Sequence, residues 1–280
     1  MAAEQTGEQT ERKSGSSTDT VRVVAISMLI ALSVRTFVVE PFKIPSGSMI
    51  PTLLVGDYIL VNKFAYGLRM PFSGQELVPI GKPERGDVVV FRYPDGPETD
   101  YIKRVIGLPG DTVELKSNRV WINGQVVDRV AEQDFTYRDY DAQSRATSLR
   151  FREINPEGRE YTILQQQMNG RLAREQRWQV PEDSYFMLGD NRDRSRDSRF
   201  WEHPFVSDEL LRGRAFVVHW SWVIASGGQP ERGFVADFLH TLGRVLTFQV
   251  EKVRWDRIGR SVDGVAEPGS VDLEEGESDG

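Results

Sequence analysis

Residues 101–127 read YIKRVIGLPGDTVELKSNRVWINGQVV. This stretch is rich in Val, Ile and aromatics and is cut by LPGD and by Asn123-Gly124. Short runs of that kind between turn residues belong to strands, and Asn-Gly supplies the positive-φ pair that a tight hairpin turn needs. Tyr101, Lys103 and Val105 fall on one face of the first strand, Ile102, Arg104 and Ile106 on the other. Similar short runs lie on either side: YILVNKF (58–64), DVVVFRY (87–93) and RAFVVHWSW (214–222), bounded by VGD and ERGD. A mainly β body of antiparallel sheets follows, in which the RGD at 85–87 is a turn entering a strand.

Toward the amino terminus the pattern changes. VRVVAISMLIALSVRTFVV, residues 21–39, holds 14 apolar residues in 19. As a helix it measures about 28 Å, near the hydrocarbon thickness of a bilayer. Arg22 and Arg35 lie toward its ends, where long side chains reach the headgroups. The run therefore reads as a transmembrane helix over 21–39, the alternative being a buried core helix with both arginines paired. A cleaved leader fits less well, because a polar stretch precedes the run and VEPFKIPS has no small-residue cleavage site. Arg12 and Lys13, set against Lys43, favour an amino terminus in the cytoplasm and a body outside it.

The remaining segments sort by composition. Residues 1–20 read as a disordered polar tail, and 261–280, with seven acids and no base, as a disordered acidic one. Phe234, Phe238, Leu242 and Leu246 share a face of an amphipathic helix over 232–248. The main β domain spans 40–111 and 181–260, interrupted at 112–180 by an inserted β-ribbon subdomain whose part 128–180 is polar and irregular. At 39% hydrophobic and 28% charged, 280 residues can bury a core. A net charge of -7 argues against nucleic acid as a partner, and the absence of cysteine removes thiolate chemistry and cysteine metal sites. No zinc-ligand run, phosphate-binding loop or dinucleotide fingerprint is present, so neither metal nor cofactor is expected.

Three segments can carry chemistry. In IPSGSMIPT (44–52), Pro45 and Pro51 force Ser46-Gly47-Ser48-Met49 into a defined bend. A serine held there has its hydroxyl aimed by the backbone, Gly47 permits close approach of another chain, and a hydroxyl beside an amide can serve an oxyanion. An ordinary loop is the plain alternative. In YIKRVIGLPGD, Lys103 becomes a general base if its face is buried, since desolvation drives its pKa down. Left exposed, it is an ordinary surface lysine. LGDNRDRSRDSRFW (188–201) packs aspartates and arginines around two serines beside Gly189, which suits either a rigid hydrogen-bonded turn or a solvated loop. His203, His219 and His240 show no catalytic pattern.

Taken in order after an apolar anchor, PSGSMIPTLLVGD, RGDVVVF, YIKRVIGLPGD and GDNRDRSRDSRFW closely resemble the bacterial type I signal peptidases (leader peptidases), which are Ser/Lys membrane-bound endopeptidases. The resemblance covers 21–127 and 180–222, with an echo in VRWDRIG (253–259). It implies that Ser48 is the nucleophile and Lys103 its general base, with the Ser46 hydroxyl and the Ser48 amide forming the oxyanion hole. It implies that Ser195 hydrogen-bonds the lysine amine, and that Gly189, Asp190 and Asp197, the last paired with Arg199, support the site. Phe42, Ile44, Pro45, Met49, Leu53, Tyr101 and Ile102 would line shallow apolar pockets for small residues at positions -1 and -3 of an extended substrate. The implied partners are signal-peptide-bearing precursors and the lipid bilayer. The implied location is the bacterial cytoplasmic membrane, crossed once, with the catalytic domain on its outer face. Some members have two spans; one is visible here. The rival readings are a repressor-type Ser/Lys autoprotease, whose DNA-binding domain residues 1–40 do not resemble, a signal peptidase of narrow substrate range, and a non-enzymatic membrane-anchored β scaffold.

Overall fold

The computed structural model describes residues 17–37, 39–69, 76–78, 80–139, 144–166, 175–224 and 250–265. Helix α1 spans Ser17–Phe37, with Asp19 in its first turn, where a carboxylate complements the helix dipole. It starts inside the stretch expected to be a polar tail and stops before Val39, which opens a strand. Val21, Val23, Val24, Ile26, Met28 and Leu29 are between 48% and 68% exposed. Among the described residues no helix is long and apolar enough to cross a membrane. The expected span 21–39 runs on over residues 30–38, whose side chains lie outside the described set.

Strands β1 (Val39–Lys43), β2 (Asp57–Asn62), β3 (Leu68–Arg69), β4 (Glu76–Val78), β5 (Val88–Tyr93) and β6 (Gly96–Gly107) follow. Next come β7 (Thr112–Lys116), β8 (Arg119–Ile122), β9 (Gln125–Val126), β10 (Asp128–Ala131), β11 (Phe135–Asp139), β12 (Ser144–Ile154), β13 (Glu160–Gln165) and β14 (Gln176–Gln179). The chain then returns through β15 (Ser184–Leu188), β16 (Phe205–Ser207), β17 (Leu211–Ile224) and β18 (Val250–Val253). The main sheet runs β1-β2-β17-β5-β6-β15-β16, with β18 also on β17. Its pairings are antiparallel. Asn123 and Gly124 both have positive φ, 51° and 80°, at the β8–β9 turn.

Alternate residues of β5 feed two cores. Val88 and Val90 pack with Ile44, Met49, Leu53 and Ile59, whereas Val89 and Phe91 pack with Tyr66, Val105, Tyr185 and Met187. A sheet covered on both faces explains the unbroken VVVF run, each side chain contributing about 1.5–3 kcal/mol on burial. Arg85, Gly86 and Asp87 turn into β5 with Asp87 buried against the Tyr66 hydroxyl, so this RGD is not displayed.

Residues 128–165, which read as irregular, are largely strand: β10, β11 and β13 all pair with β12. Their polarity is that of a sheet with one wet face, where Arg150 pairs with Glu132 (3.1 Å) and Arg152 with Glu160 (2.9 Å). The other face carries Phe151, Tyr161 and Ile163 into a core shared with Ile106, Phe186 and Leu188 of the main sheet. At the carboxyl end residues 261–265, expected to open the disordered acidic tail, are packed on the main sheet. Val262 is 1% exposed beside Ala215 and Val218, and Asp263 pairs with Arg214 at 2.8 Å. The expected helix 232–248, with His240, lies outside the described residues, as do 1–16 and 266–280.

Candidate active site

Ser48 lies in a 3-10 turn, Gly47–Met49, on the loop from β1 to β2. The loop is closed at its base, where Ile44 N–H donates to the Asp57 carbonyl (2.8 Å) and Gly56 N–H to the Ile44 carbonyl (3.0 Å). The Asp57 carboxylate accepts from Leu54 N–H at 2.8 Å. From the far end of the chain, Arg254 and Arg257 donate to the carbonyls of Val55 and Thr52, both at 3.0 Å. Ser46 precedes the turn in an extended conformation and is exposed, with its Oγ 3.4 Å from that of Ser48. The surprise is Gly47. On the side a methyl would take, only the Ile50 side chain of its own loop lies within 4 Å, at 3.1 Å.

Lys103 sits on β6 between β5, where it pairs with Val89, and β15, which pairs at the next residue, Arg104. Its Nζ is 2.8 Å from Ser48 Oγ and 2.9 Å from the Ile102 carbonyl. The side chain is buried. Burial brings its pKa from 10.5 to about 8; Asp197 and Asp190 oppose the drop and Arg199 adds to it. A neutral amine at hydrogen-bond distance from a hydroxyl can act as a general base.

The segment after β15 completes the site. A methyl on Gly189 would lie 2.2 Å from Ser195 Oγ and 2.6 Å from the Ser48 carbonyl oxygen, so this glycine is the point of close approach. Its N–H donates to Asp197 at 3.0 Å, and Arg199 grips Asp197 at 2.6 and 2.7 Å. Burial alone would raise the Asp197 pKa; the Arg199 guanidinium, the Gly189 amide and Ser195 outweigh it and hold the carboxyl below its usual range. Asp190, expected among the supporting residues, links two elements of the site. It forms a buried two-pronged pair with Arg104 (2.8 and 2.6 Å) and accepts from the Thr52 hydroxyl at 2.5 Å, tying β6 to the serine loop. The bond expected between Ser195 and the lysine is absent. Lys103 Nζ is directed to Ser48 and Ile102, and Ser195 Oγ is buried without a well-aligned hydrogen bond of its own.

The model of the signal peptidase family, peptidase S26, matches residues 17–220. The chain belongs to that family. The signal peptidase I of Pseudomonas aeruginosa is 45% identical over 206 residues, covering 70% of this chain and 69% of its own. That of Aquifex aeolicus is 36% identical over 225 residues, covering 71% and 82%. A crystal structure of a signal peptidase I from Enterococcus faecalis V583 aligns with 48% of this chain and 97% of its own, at 30% identity and a TM-score of 0.29. As a peptidase S26 member the chain is a serine endopeptidase, which sets aside the non-enzymatic scaffold.

Phe42, Ile44, Met49, Leu53 and Ile102 come together in one apolar cluster beside Ser48. Tyr101 belongs to another, stacked on Tyr93 (4.5 Å) and edge-on to Trp201, with Lys103 Nζ 5.4 Å from its ring centre. Pro45 is half-buried. The histidines with described positions are engaged elsewhere: His203 with Asp95 at 2.8 Å, His219 edge-on to Tyr58. Sequence reading missed Arg104, Thr52, Asn191, Arg254 and Arg257. For Arg104 a signal existed: an arginine beside the lysine on a strand flanked by Val and Ile needs a carboxylate if that strand is buried.

Proposed function

We propose that the chain removes amino-terminal signal peptides from exported precursors, cleaving after small residues at -1 and -3 by a Ser48/Lys103 dyad. The observation that carries this is the 2.8 Å contact between Ser48 Oγ and the buried Lys103 Nζ. Neutral Lys103 takes the hydroxyl proton as Ser48 Oγ attacks the scissile carbonyl, and the same amine then returns it to the leaving nitrogen. The Ser48 N–H and the Ser46 hydroxyl receive the oxyanion. Water, deprotonated by Lys103, hydrolyses the acyl-enzyme. The substrate lies extended along the outer side of β1, which among the described strands pairs with β2 alone and leads into Ser46. Phe42, Ile102 and Pro45 wall its apolar pockets above the buried Ile44, Met49 and Leu53, and Tyr101 flanks the lysine.

Six large apolar side chains exposed on α1 support a membrane anchor immediately before β1, with the β domain on the outer face of the cytoplasmic membrane. Tethering there raises the effective concentration of enzyme at bilayer-held cleavage sites. The test is cleavage of a precursor with an Ala-X-Ala site by the detergent-solubilised full chain, with the cut bond mapped by mass. Cleavage after the second alanine by wild type, lost in Ser48→Ala, is expected; cleavage retained by Ser48→Ala overturns the reading.

A further inference from the structure

One buried residue grips the backbone on both sides of the nucleophile, with its main chain on one side and its side chain on the other. Asn191 N–H donates to the Ser48 carbonyl at 3.0 Å, and its Nδ2 donates to the Gly47 carbonyl at 3.1 Å. The second hydrogen of Nδ2 is directed at the Tyr137 hydroxyl, 3.2 Å away on β11 of the insertion. Asn191 is 1% and Tyr137 2% exposed, so neither reaches a substrate.

The consequence follows from peptide planarity. The Gly47 carbonyl and the Ser48 N–H belong to one rigid, trans peptide unit and point in opposite directions. Whatever holds that carbonyl sets the direction of the N–H. The carbonyl also accepts the turn's own bond from Ile50 N–H, but at 3.3 Å that bond is long. The side-chain bond from Asn191 is the shorter restraint on the peptide unit whose other end is the oxyanion donor.

Asn191 is itself held by the inserted strands. Leu164 of β13 bridges to it, and Leu164 N–H donates to the Asp190 carbonyl at 2.8 Å. On the next residue, Arg192 makes a buried two-pronged pair with Glu153 of β12 (2.9 and 2.5 Å). Gln166 N–H donates to Asp193 at 2.7 Å. Ile50 and Leu54 of the serine loop pack directly against Phe135, Tyr137 and Leu164.

We infer that Asn191, braced by Tyr137 and the β11–β13 sheet, is a positioning residue that aims the Ser48 amide at the developing oxyanion. The insertion is then part of the catalytic apparatus in a structural sense, although it supplies no reacting group. This inference rests on the Ser48/Lys103 reading above.

The test uses the full chain in detergent with the Ala-X-Ala precursor, comparing wild type, Asn191→Ala, Tyr137→Phe, the double variant and Ser48→Ala. An oxyanion donor is worth about 100- to 1,000-fold in kcat, so a misaimed one is expected to cost about 10- to 100-fold in Asn191→Ala. KM and the pH midpoint of kcat should stay at wild-type values, because neither the pockets nor Lys103 is touched. Tyr137→Phe, which keeps the ring packed, is expected to lose less, and adding it to Asn191→Ala to lose nothing further, since the hydroxyl acts through the amide. Folded Asn191→Ala with wild-type kcat overturns the inference, as does a fully additive double variant. If Ser48→Ala is inactive while the Asn191 and Tyr137 variants are wild-type, only this inference fails. Activity retained by Ser48→Ala removes the reading beneath it as well.

Discussion

Lys103→Met is expected to abolish cleavage and yet stabilise the fold at neutral pH. A lysine whose folded pKa is depressed makes the folded state resist the ammonium form. The cost is fully present below the folded value of about 8 and disappears as pH rises past the ordinary value of 10.5. At about 1.4 kcal/mol per pH unit, the drop amounts to about 3 kcal/mol at pH 7 and about 1 kcal/mol at pH 10. Methionine has a similar length and cannot ionise. It leaves the Ser48 hydroxyl and the Ile102 carbonyl without the lysine contact, a loss that does not titrate with Lys103 and so cancels when two pH values are compared. Urea unfolding of both proteins at pH 7 and pH 10 reads the difference. The variant's advantage relative to wild type should shrink by about 2 kcal/mol between the two. An advantage that does not change with pH would show that burial has not shifted this lysine, and the general-base argument would lose its electrostatic footing.

Other perturbations have expected signs. The kcat for precursor cleavage should rise with pH through a midpoint near 8, as the neutral fraction of Lys103 grows, and Lys103→Arg should be inactive across that range, because a guanidinium stays protonated. Gly189→Ala should lose most activity and about 1–3 kcal/mol of stability, since its methyl would meet Ser195 Oγ at 2.2 Å and the Ser48 carbonyl at 2.6 Å; thermal denaturation and a kcat measurement check both. Asp190→Ala should cost about 3–5 kcal/mol by leaving the buried Arg104 guanidinium without its carboxylate, which chemical denaturation will read.

Local chemistry marked the strands well. Short runs rich in Val, Ile and aromatics between turn residues placed β2, β5 and β6, and Asn123-Gly124 placed the β8–β9 turn, because both signals are written within a few residues. What sequence could not show are contacts across long separations. Arg104 finds Asp190 at a distance of 86 positions, and Arg257 finds Asp57 at 200. The insertion looked irregular because one face of its sheet is wet and carries Glu132, Arg150, Arg152 and Glu160 in pairs. The two glycines show the same limit. Gly47 stands in the conspicuous motif, but a methyl there would press only on the end of the Ile50 side chain at 3.1 Å, while Gly189 is the one pressed between Ser195 and Ser48. Ser48 and Lys103 were singled out individually by their surroundings in sequence, but their joint role came from the family resemblance. Their 2.8 Å contact is a property of the fold.

The most direct measurement of the Ser48/Lys103 chemistry is the mass of the enzyme quenched during turnover of a slowly deacylating signal-peptide ester. An acyl group on the peptide containing Ser48 is expected in wild type, together with its absence in Lys103→Arg. An adduct on another residue, or one formed by Lys103→Arg at the wild-type rate, would contradict the dyad.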